Sequence, residues 1–271
     1  MKFNISSKAL YNATSAVSKV INSKNALAIL DNFFIKLEGN ELTITGSDQE
    51  NALTARLEVS GCKGEGAFCL GARRLVELLK ELPDQGVEVN VNEETLEVQL
   101  SYASGHYSFV GLPGDQYPHF TADTTGEAIS FSLATSQMLE GLDNTMFAVS
   151  DDEYRQIMQG VLLDVAEDGI TFVATDTRKL VRYIDRRTSP GVKGSCVLPQ
   201  KPATIIKNVF AKEESLNFTM NARNAVIQSE RFTFQCTFLN GNYPDYNRVI
   251  PTKNSLVLTV DRLSLLNAVR R

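Results

Sequence analysis

The sequence predicts an α+β fold made of tandem copies of one antiparallel domain. Two observations carry this: the chain repeats itself, and within each repeat the strands cluster instead of alternating singly with helices. An internal repeat is sought first because it sets the unit of folding. At a shift of 128 positions, Phe3-x-Ile5 matches Phe131-x-Leu133, and Leu10 matches Met138. The run Asn32–Leu37 falls on Gly160–Val165, Leu42–Asp48 on Ile170–Asp176, and Cys69-Leu70 on Val197-Leu198. Near the end of each unit the shift relaxes by one or two residues, and Leu112-Pro113-Gly114-Asp115-Gln116-Tyr117-Pro118 pairs with Leu239-Asn240-Gly241-Asn242-Tyr243-Pro244. A third unit then starts: Leu258-Thr259-Val260 repeats Phe3-Asn4-Ile5, and Leu265 and Ala268 repeat Leu10 and Ala13. The expected units are 1–126, 127–253 and 254–271. The last is expected to be the first strand and helix of a truncated third domain, because one strand and one helix cannot bury a core.

Each repeat has the same grammar. An alternating strand opens it (Lys2–Ile5, Ser130–Leu133). Ser6/Ser7 or Thr135 then caps a helical pattern carrying Leu10, Ala13, Val17 and Val20, or Met138, Leu142 and Met146. Two or three strands follow, with turns at Glu38-Gly39-Asn40 and Glu167-Asp168-Gly169. A second helix carries Leu75, Leu78, Leu79 and Leu82 in one unit and Ile205, Ile206, Val209 and Phe210 in the other. Pro83-Asp84-Gln85-Gly86 stops the first of these. Alternating strands finish the unit, such as Val87-x-Val89-x-Val91 and Phe232-x-Phe234. The order, roughly β-α-βββ-α-βββ, favours antiparallel sheets over a doubly wound parallel one.

Charge is sorted between helices and the rest. The helical patterns at 8–24, 71–82, 136–149, 200–212 and 261–271 together carry +7, so with a net charge of −5 the remainder carries −12. An acidic protein with basic helices can still present one positive face. Ordinary solvated helix faces would give the same count. No helix is basic enough to read a groove, and no aromatic-basic pattern of the single-strand type occurs.

Several function classes find no support. No apolar run is long enough to span a bilayer, and the start Met1-Lys2-Phe3-Asn4-Ile5 lacks a signal-peptide core. The four cysteines, Cys62, Cys69, Cys196 and Cys236, are far apart and read as reduced thiols of a cytoplasmic protein. No G-x-S-x-G, Walker loop, H-E-x-x-H or metal-ligand cluster appears, and His106 and His119 stand in unrelated settings. Asp48 and Asp176 hold matching repeat positions, which reads as a structural turn and not as a catalytic pair. No cofactor, metal or catalytic residue is expected.

The repeat length, the opening Met-Lys-Phe, the turn Thr175-Asp176-Thr177-Arg178-Lys179-Leu180 and the segment Tyr243-Pro244-Asp245-Tyr246-x-Arg248-Val249-Ile250-Pro251 together resemble the beta sliding clamps of bacterial DNA polymerase III. The resemblance runs along the whole chain and is most specific in the last segment. It implies a DNA-clamp fold, with helices lining a ring and sheets forming its outer wall. It implies a non-catalytic processivity factor that encircles duplex DNA without sequence specificity. The implied partners are the polymerase catalytic subunit, the clamp loader and other proteins with clamp-binding peptides. Such clamps close as homodimers in which the first domain of one subunit meets the third of the other, so this length of chain is not expected to close a ring by that contact. The implied location is the cytoplasm, at the nucleoid during replication.

Residue by residue, the resemblance implies that Lys24, Arg73 and Arg74 of the first domain and Lys201 and Lys207 of the second face DNA. A ring that slides needs a diffuse positive lining whose energy barely changes between base pairs. The resemblance also implies a groove for short partner peptides, with Met158, Thr175, Thr177, Arg178, Leu180, Pro244, Arg248 and Val249 on its wall. Apolar Met158, Leu180, Pro244 and Val249 would give an adaptable floor, and Arg248 and the threonine hydroxyls would bond the peptide. Two departures stand out. The family more often has Gly-His-Arg where this chain has Thr177-Arg178-Lys179, and Asp151-Asp152-Glu153 aligns with a loop that faces DNA in relatives. A repeat-built enzyme and an interaction scaffold without DNA remain the rival readings. Basic helices sharing one concave face would separate the clamp from both.

Overall fold

The computed structural model describes residues 1–123 and 127–271. The expected junction after Gly126 lies outside the described residues.

In the first repeat, β1 (Lys2–Ser6) leads into α1 (Ser7–Val17). Five strands follow: β2 (Asn32–Glu38), β3 (Glu41–Ser47), β4 (Asn51–Glu58), β5 (Ser60–Lys63) and β6 (Gly66–Gly71). Then come α2 (Ala72–Glu81), β7 (Gly86–Val91), β8 (Glu97–Tyr102), β9 (Gly105–Val110) and β10 (Leu112–Pro113). The second repeat runs β11 (Ile129–Ala134), α3 (Thr135–Thr145), β12 (Gly160–Ala166), β13 (Gly169–Thr175), β14 (Leu180–Asp185) and β15 (Gly194–Pro199). It finishes with α4 (Gln200–Val209), β16 (Ser215–Met220), β17 (Asn224–Gln228) and β18 (Phe232–Thr237). Two helices follow, α5 (Tyr246–Val249) and α6 (Arg262–Arg270).

The shift of 128 read from the sequence reproduces element boundaries residue for residue. The spans of α1, β2, β3, β6 and α2 map onto α3, β12, β13, β15 and α4. Registers repeat as well: Leu37 opposes Leu42 in the β2–β3 hairpin, and Val165 opposes Ile170 in the β12–β13 hairpin. Every described strand pair is antiparallel. The central run holds five strands in the first repeat and four in the second, where two or three were expected. The short β5 and the two-residue β10 carry no clean alternation for a sequence reading to find.

One sheet crosses between the repeats. Its order is β10-β6-β2-β3-β4-β18-β17-β16-β11, so β4 of the first repeat pairs directly with β18 of the second. A five-stranded sheet, β5-β1-β7-β8-β9, and a four-stranded one, β14-β13-β12-β15, complete the molecule. One buried core runs through both repeats, with Phe3, Phe33, Phe68, Phe172, Phe218 and Phe234 among its largest members. At roughly 1.5–3 kcal/mol per buried large side chain, this shared core is the main favourable contribution to the fold.

Three local expectations are corrected. The helical pattern expected over 8–24 ends at Val17 and continues only as turns, with Lys19, Val20 and Ile21 bonding three residues back. Ser18, Asn22, Ser23 and Asn25 compete with the helix there; the Asn25 amide donates to the Asn22 carbonyl and to Asp31. Ser6 does cap α1, its Oγ accepting from Ala9 N. Thr135, however, is the first residue of α3 and not its cap; Ala134 holds the cap position, and Gln137 Oε1 accepts from Ala134 N. The third unit forms its helix, with Asp261 accepting from Ser264 N. Its expected strand at 258–260 is not formed: no strand pairing involves these residues among the described residues.

Candidate functional site

The four long helices of the repeats lie side by side in the order α2, α1, α4, α3. The α1–α2 and α3–α4 pairs pack within their repeats. The turn after α1 joins the two sets: Lys19 lines one hollow with Gln200, Lys201 and Thr204 of α4. On the other side, Ser18, Ile21 and Asn22 line a second hollow with Arg73 and Arg74 of α2.

The expected DNA-facing residues sit along this helical layer in different states. Arg74 and Lys24 are exposed and form no ion pair among the described residues. Arg73 is exposed and bound one turn ahead to Glu77, at 2.8 Å. Lys207 pairs with Asp143 of α3. Lys201 spans the repeats: its ammonium donates to the Val20 carbonyl and Asn22 Oδ1, each at 2.6 Å, and to the buried Asp48 carboxylate. Lys24 belongs to the turn after α1 and not to a helix. Lys19, exposed between α1 and α4, was missed as a site residue although its charge was counted.

The acidic loop Asp151-Asp152-Glu153 is exposed. Asp152 is partly neutralised in place. It caps the following 3₁₀ turn by accepting from Tyr154 N and lies 3.6 Å from Arg155.

Of the expected groove residues, Pro244 lines a hollow between β12, β15 and the segment 239–246, and Leu180 packs against the cluster beside it. Met158 and Leu180 are half-buried beside a cluster of Leu162, Val173 and Val197 joined by Ile157, Leu239, Tyr243 and Tyr246. Pro244 is half-buried next to it, while Arg178, Arg248 and Val249 are exposed. Tyr246 fixes the segment by donating from its hydroxyl to Asp164 at 2.9 Å. Burial pushes the Tyr243 phenol up to about 12, so it stays protonated. Ile157, Leu239, Tyr243 and Tyr246 were not picked out from sequence as groove residues. Leu239 was visible only as the repeat match to Leu112, and Tyr243 and Tyr246 as members of the family-like segment 243–251.

The threonine hydroxyls have local partners. Thr175 Oγ1 donates to the Lys179 carbonyl at 2.8 Å and accepts from Thr177 N. Thr177 Oγ1 accepts from Arg155 at 2.9 Å. Thr177 occupies the left-handed region with φ +77°, and its repeat mate Gln49 does so with φ +80°. The backbone thus keeps the conformation that glycine favours, although the chain has a β-branched residue there. Asp176 is held well below the usual carboxylate range by hydrogen bonds from the Lys179 ammonium and from the backbone of Lys179 and Arg178.

The matching place in the first repeat is closed. Leu30, Cys69 and Tyr117 are buried there, His119 sets its ring edge-on to Phe34 at 5.0 Å, and Ala122 N donates to Gln235 of the second repeat at 2.8 Å. Its counterpart in the second repeat borders an open hollow lined by Leu162, Val197, Leu239, Tyr243, Pro244 and Tyr246.

Comparison with known proteins places this architecture. Residues 1–121 match the family model of the DNA polymerase III beta subunit, N-terminal domain, and residues 132–245 match that of its central domain. The beta sliding clamp of Pseudomonas aeruginosa is 26% identical over 274 residues, covering 100% of this chain and 74% of the relative. That of Bacillus subtilis is 26% identical over 280 residues, covering 100% and 73%. Among solved structures, a sliding clamp from Pseudomonas aeruginosa bound to griselimycin superposes with a TM-score of 0.87 at 25% identity, covering 94% of this chain and 69% of that one. The beta subunit from Streptococcus pyogenes gives 0.86 at 25%, covering 93% and 68%. With two models of one family matched in order along most of its length, and the same fold in solved members, the chain belongs to the beta sliding clamp family and is a non-catalytic processivity subunit of DNA polymerase III.

Proposed function

We propose that the chain forms an arc of a ring that encircles duplex DNA without reading its sequence, with α2, α1, α4 and α3 toward the DNA. The observation that supports this is the side-by-side layer of helices, in which Arg73 and Arg74 line one hollow with the turn after α1, Lys201 lines the next, and Lys207 pairs with Asp143 of α3. Arg74 and Lys24 act as free cations. Arg73, Lys201 and Lys207 add a softer field because acids share their charge. Such screened contacts act over about 8–10 Å and bind no particular base. The acidic 151–153 loop either turns away from DNA or is a point of weak DNA contact. We assign 1–126 and 127–253 to the first two clamp domains and 254–271 to the start of a third, with homodimer closure when that third domain is present.

The groove formed by Met158, Thr175, Thr177, Arg178, Leu180, Pro244, Arg248 and Val249 takes the clamp-binding peptides of the polymerase catalytic subunit, the clamp loader and other partners. Its apolar floor anchors side chains, and Arg248 and Arg178 meet the peptide's polar groups. The protein acts in the cytoplasm, at the nucleoid during replication; no described helix is long and apolar enough to cross a membrane.

Topology is the test. A clamp loader with ATP places the full-length protein on a nicked circular plasmid, and it co-elutes with the circle. Cutting the circle once releases it. Equal retention on the linear form overturns encirclement.

A further inference from the structure

We propose that Asp152, in the acidic loop, is a positioning residue of the peptide groove: through Arg155 it holds the Thr177 turn in the shape a peptide meets. Two stretches come together here, Ser150–Met158 and Thr175–Leu180. Ile157 of the first and Leu180 of the second pack on the same cluster of Leu162, Val173 and Val197. The Arg155 guanidinium crosses from one stretch to the other. Its Nη1 donates to Thr177 Oγ1 at 2.9 Å, and its Nε lies 3.6 Å from the Asp152 carboxylate. Asp152 also accepts from Tyr154 N at 3.0 Å, and its carbonyl accepts from Arg155 N at 3.0 Å. Ser150 closes the loop: its Oγ accepts from Asp152 N, and its own N–H donates to the Met158 carbonyl.

These bonds carry weight because regular structure holds neither stretch. The 3₁₀ turn Glu153–Met158 leaves helical geometry at Arg155, with φ −122° and ψ 55°. Thr177 is a β-branched residue at φ +77°, a strained conformation that persists only where its surroundings impose it. Its N–H is tied to Thr175 Oγ1 at 3.1 Å, and the bond from Arg155 ties its side chain. An arginine swings on a long stem, so a carboxylate beside it restricts where its planar fork points. The Asp151 and Glu153 carboxylates have no hydrogen bond or ion pair among the described residues, so of the three acids Asp152 alone reaches the groove. The inference rests on the groove proposed above, and it gives the acidic loop a task that requires no DNA.

Fluorescence anisotropy tests it, using the full-length protein and a labelled peptide copied from the clamp-binding segment of the polymerase catalytic subunit. Asp152→Asn keeps an oxygen for Tyr154 N and removes the charge beside Arg155. It is expected to weaken the peptide about threefold to fivefold and to leave the melting temperature in place, because the ion pair is exposed. Asp151→Asn and Glu153→Gln make the same charge change away from Arg155 and should bind as the parent protein does. In an Arg155→Met background, Asp152→Asn should have no further effect. Amide exchange of the peptide-free protein should speed up at 176–180 in Asp152→Asn and not in Asp151→Asn. Parental affinity or parental exchange in Asp152→Asn overturns the proposal, as do equal losses in Asp151→Asn or additive losses in the Arg155→Met background. Failure of the parent protein itself to bind the peptide overturns the groove, and this proposal with it.

Discussion

The ammonium of Lys201, on the first turn of α4, reaches the buried carboxylate of Asp48 in the other repeat. The same ammonium holds the Val20 carbonyl and Asn22 Oδ1 in the turn after α1. Asp48 also accepts from Glu50 N and Asn51 N, so it organises the turn between β3 and β4. Removing the cation leaves a buried carboxylate with only neutral donors, the backbone of Glu50 and Asn51 and the Asn51 amide. Lys201→Met is expected to lower unfolding free energy by about 1–3 kcal/mol, less than a fully buried pair because the lysine is partly exposed. Chemical denaturation measures it, and an unchanged midpoint would deny the strut any structural weight.

Thr177 and Gln49 occupy left-handed backbone at matching turns. Glycine removes the clash of Cβ with the carbonyl but gains freedom in the unfolded chain. The balance favours Gln49→Gly and Thr177→Gly by up to about 1 kcal/mol each. A lower melting temperature in both variants would show that the side chains, not the backbone, set these turns.

Gly141 of α3 faces the ring of Phe172, and a Cβ there would come within 2.5 Å of it. Alanine raises helix propensity, yet Gly141→Ala should destabilise by about 1–3 kcal/mol because the packed ring cannot retreat freely. Pairing it with Phe172→Leu should recover part of the loss in a double-mutant cycle. Simple additivity would rule out this contact as the cause.

Arg187 draws Asp185 and Glu140 below the usual carboxylate range through its hydrogen bonds, and the Gln137 amide also donates to Asp185. A depressed carboxylate contributes stability that is present above its unfolded pKa, near 4, and is lost as pH falls through the folded value. Stability should therefore decline below about pH 4, and Arg187→Leu should flatten that decline. Identical pH profiles for the two proteins would contradict the linkage.

Arg248 is 87% exposed and bound only to the neighbouring Asp245. Exposed pairs of this kind contribute about 0–1 kcal/mol. Arg248→Ala should leave the melting temperature in place while weakening a clamp-binding peptide about tenfold, the loss expected of a moderate binding contact. Unchanged affinity by calorimetric titration would remove Arg248 from the groove.

The repeat made most of the fold legible, because a hydrophobic pattern that recurs at one fixed shift fixes element type twice over. What escaped depends on contacts far apart in sequence. Nothing in the periodicity around Lys201 announces Asp48, and a lysine at the start of an amphipathic helix reads as a solvated charge. The end of α1 escaped because Val20 and Ile21 continue the apolar pattern after side-chain competition from Ser18 and Asn22 has stopped the helix. The groove residues are proposed from a motif, and that motif does not reveal the local bonding of the Thr175 and Thr177 hydroxyls, since a hydroxyl's partner is set by turn geometry.

The strand pairing of β4 with β18 changes what the connection between the repeats has to do. Main-chain hydrogen bonds between β4 and β18 join the halves, and Ala122 N and the Asp123 carbonyl of the connecting segment add bonds to the second repeat. A single cut in that segment should leave both halves travelling as one particle, with the curvature of the arc unaltered, because the lock between them is the sheet itself.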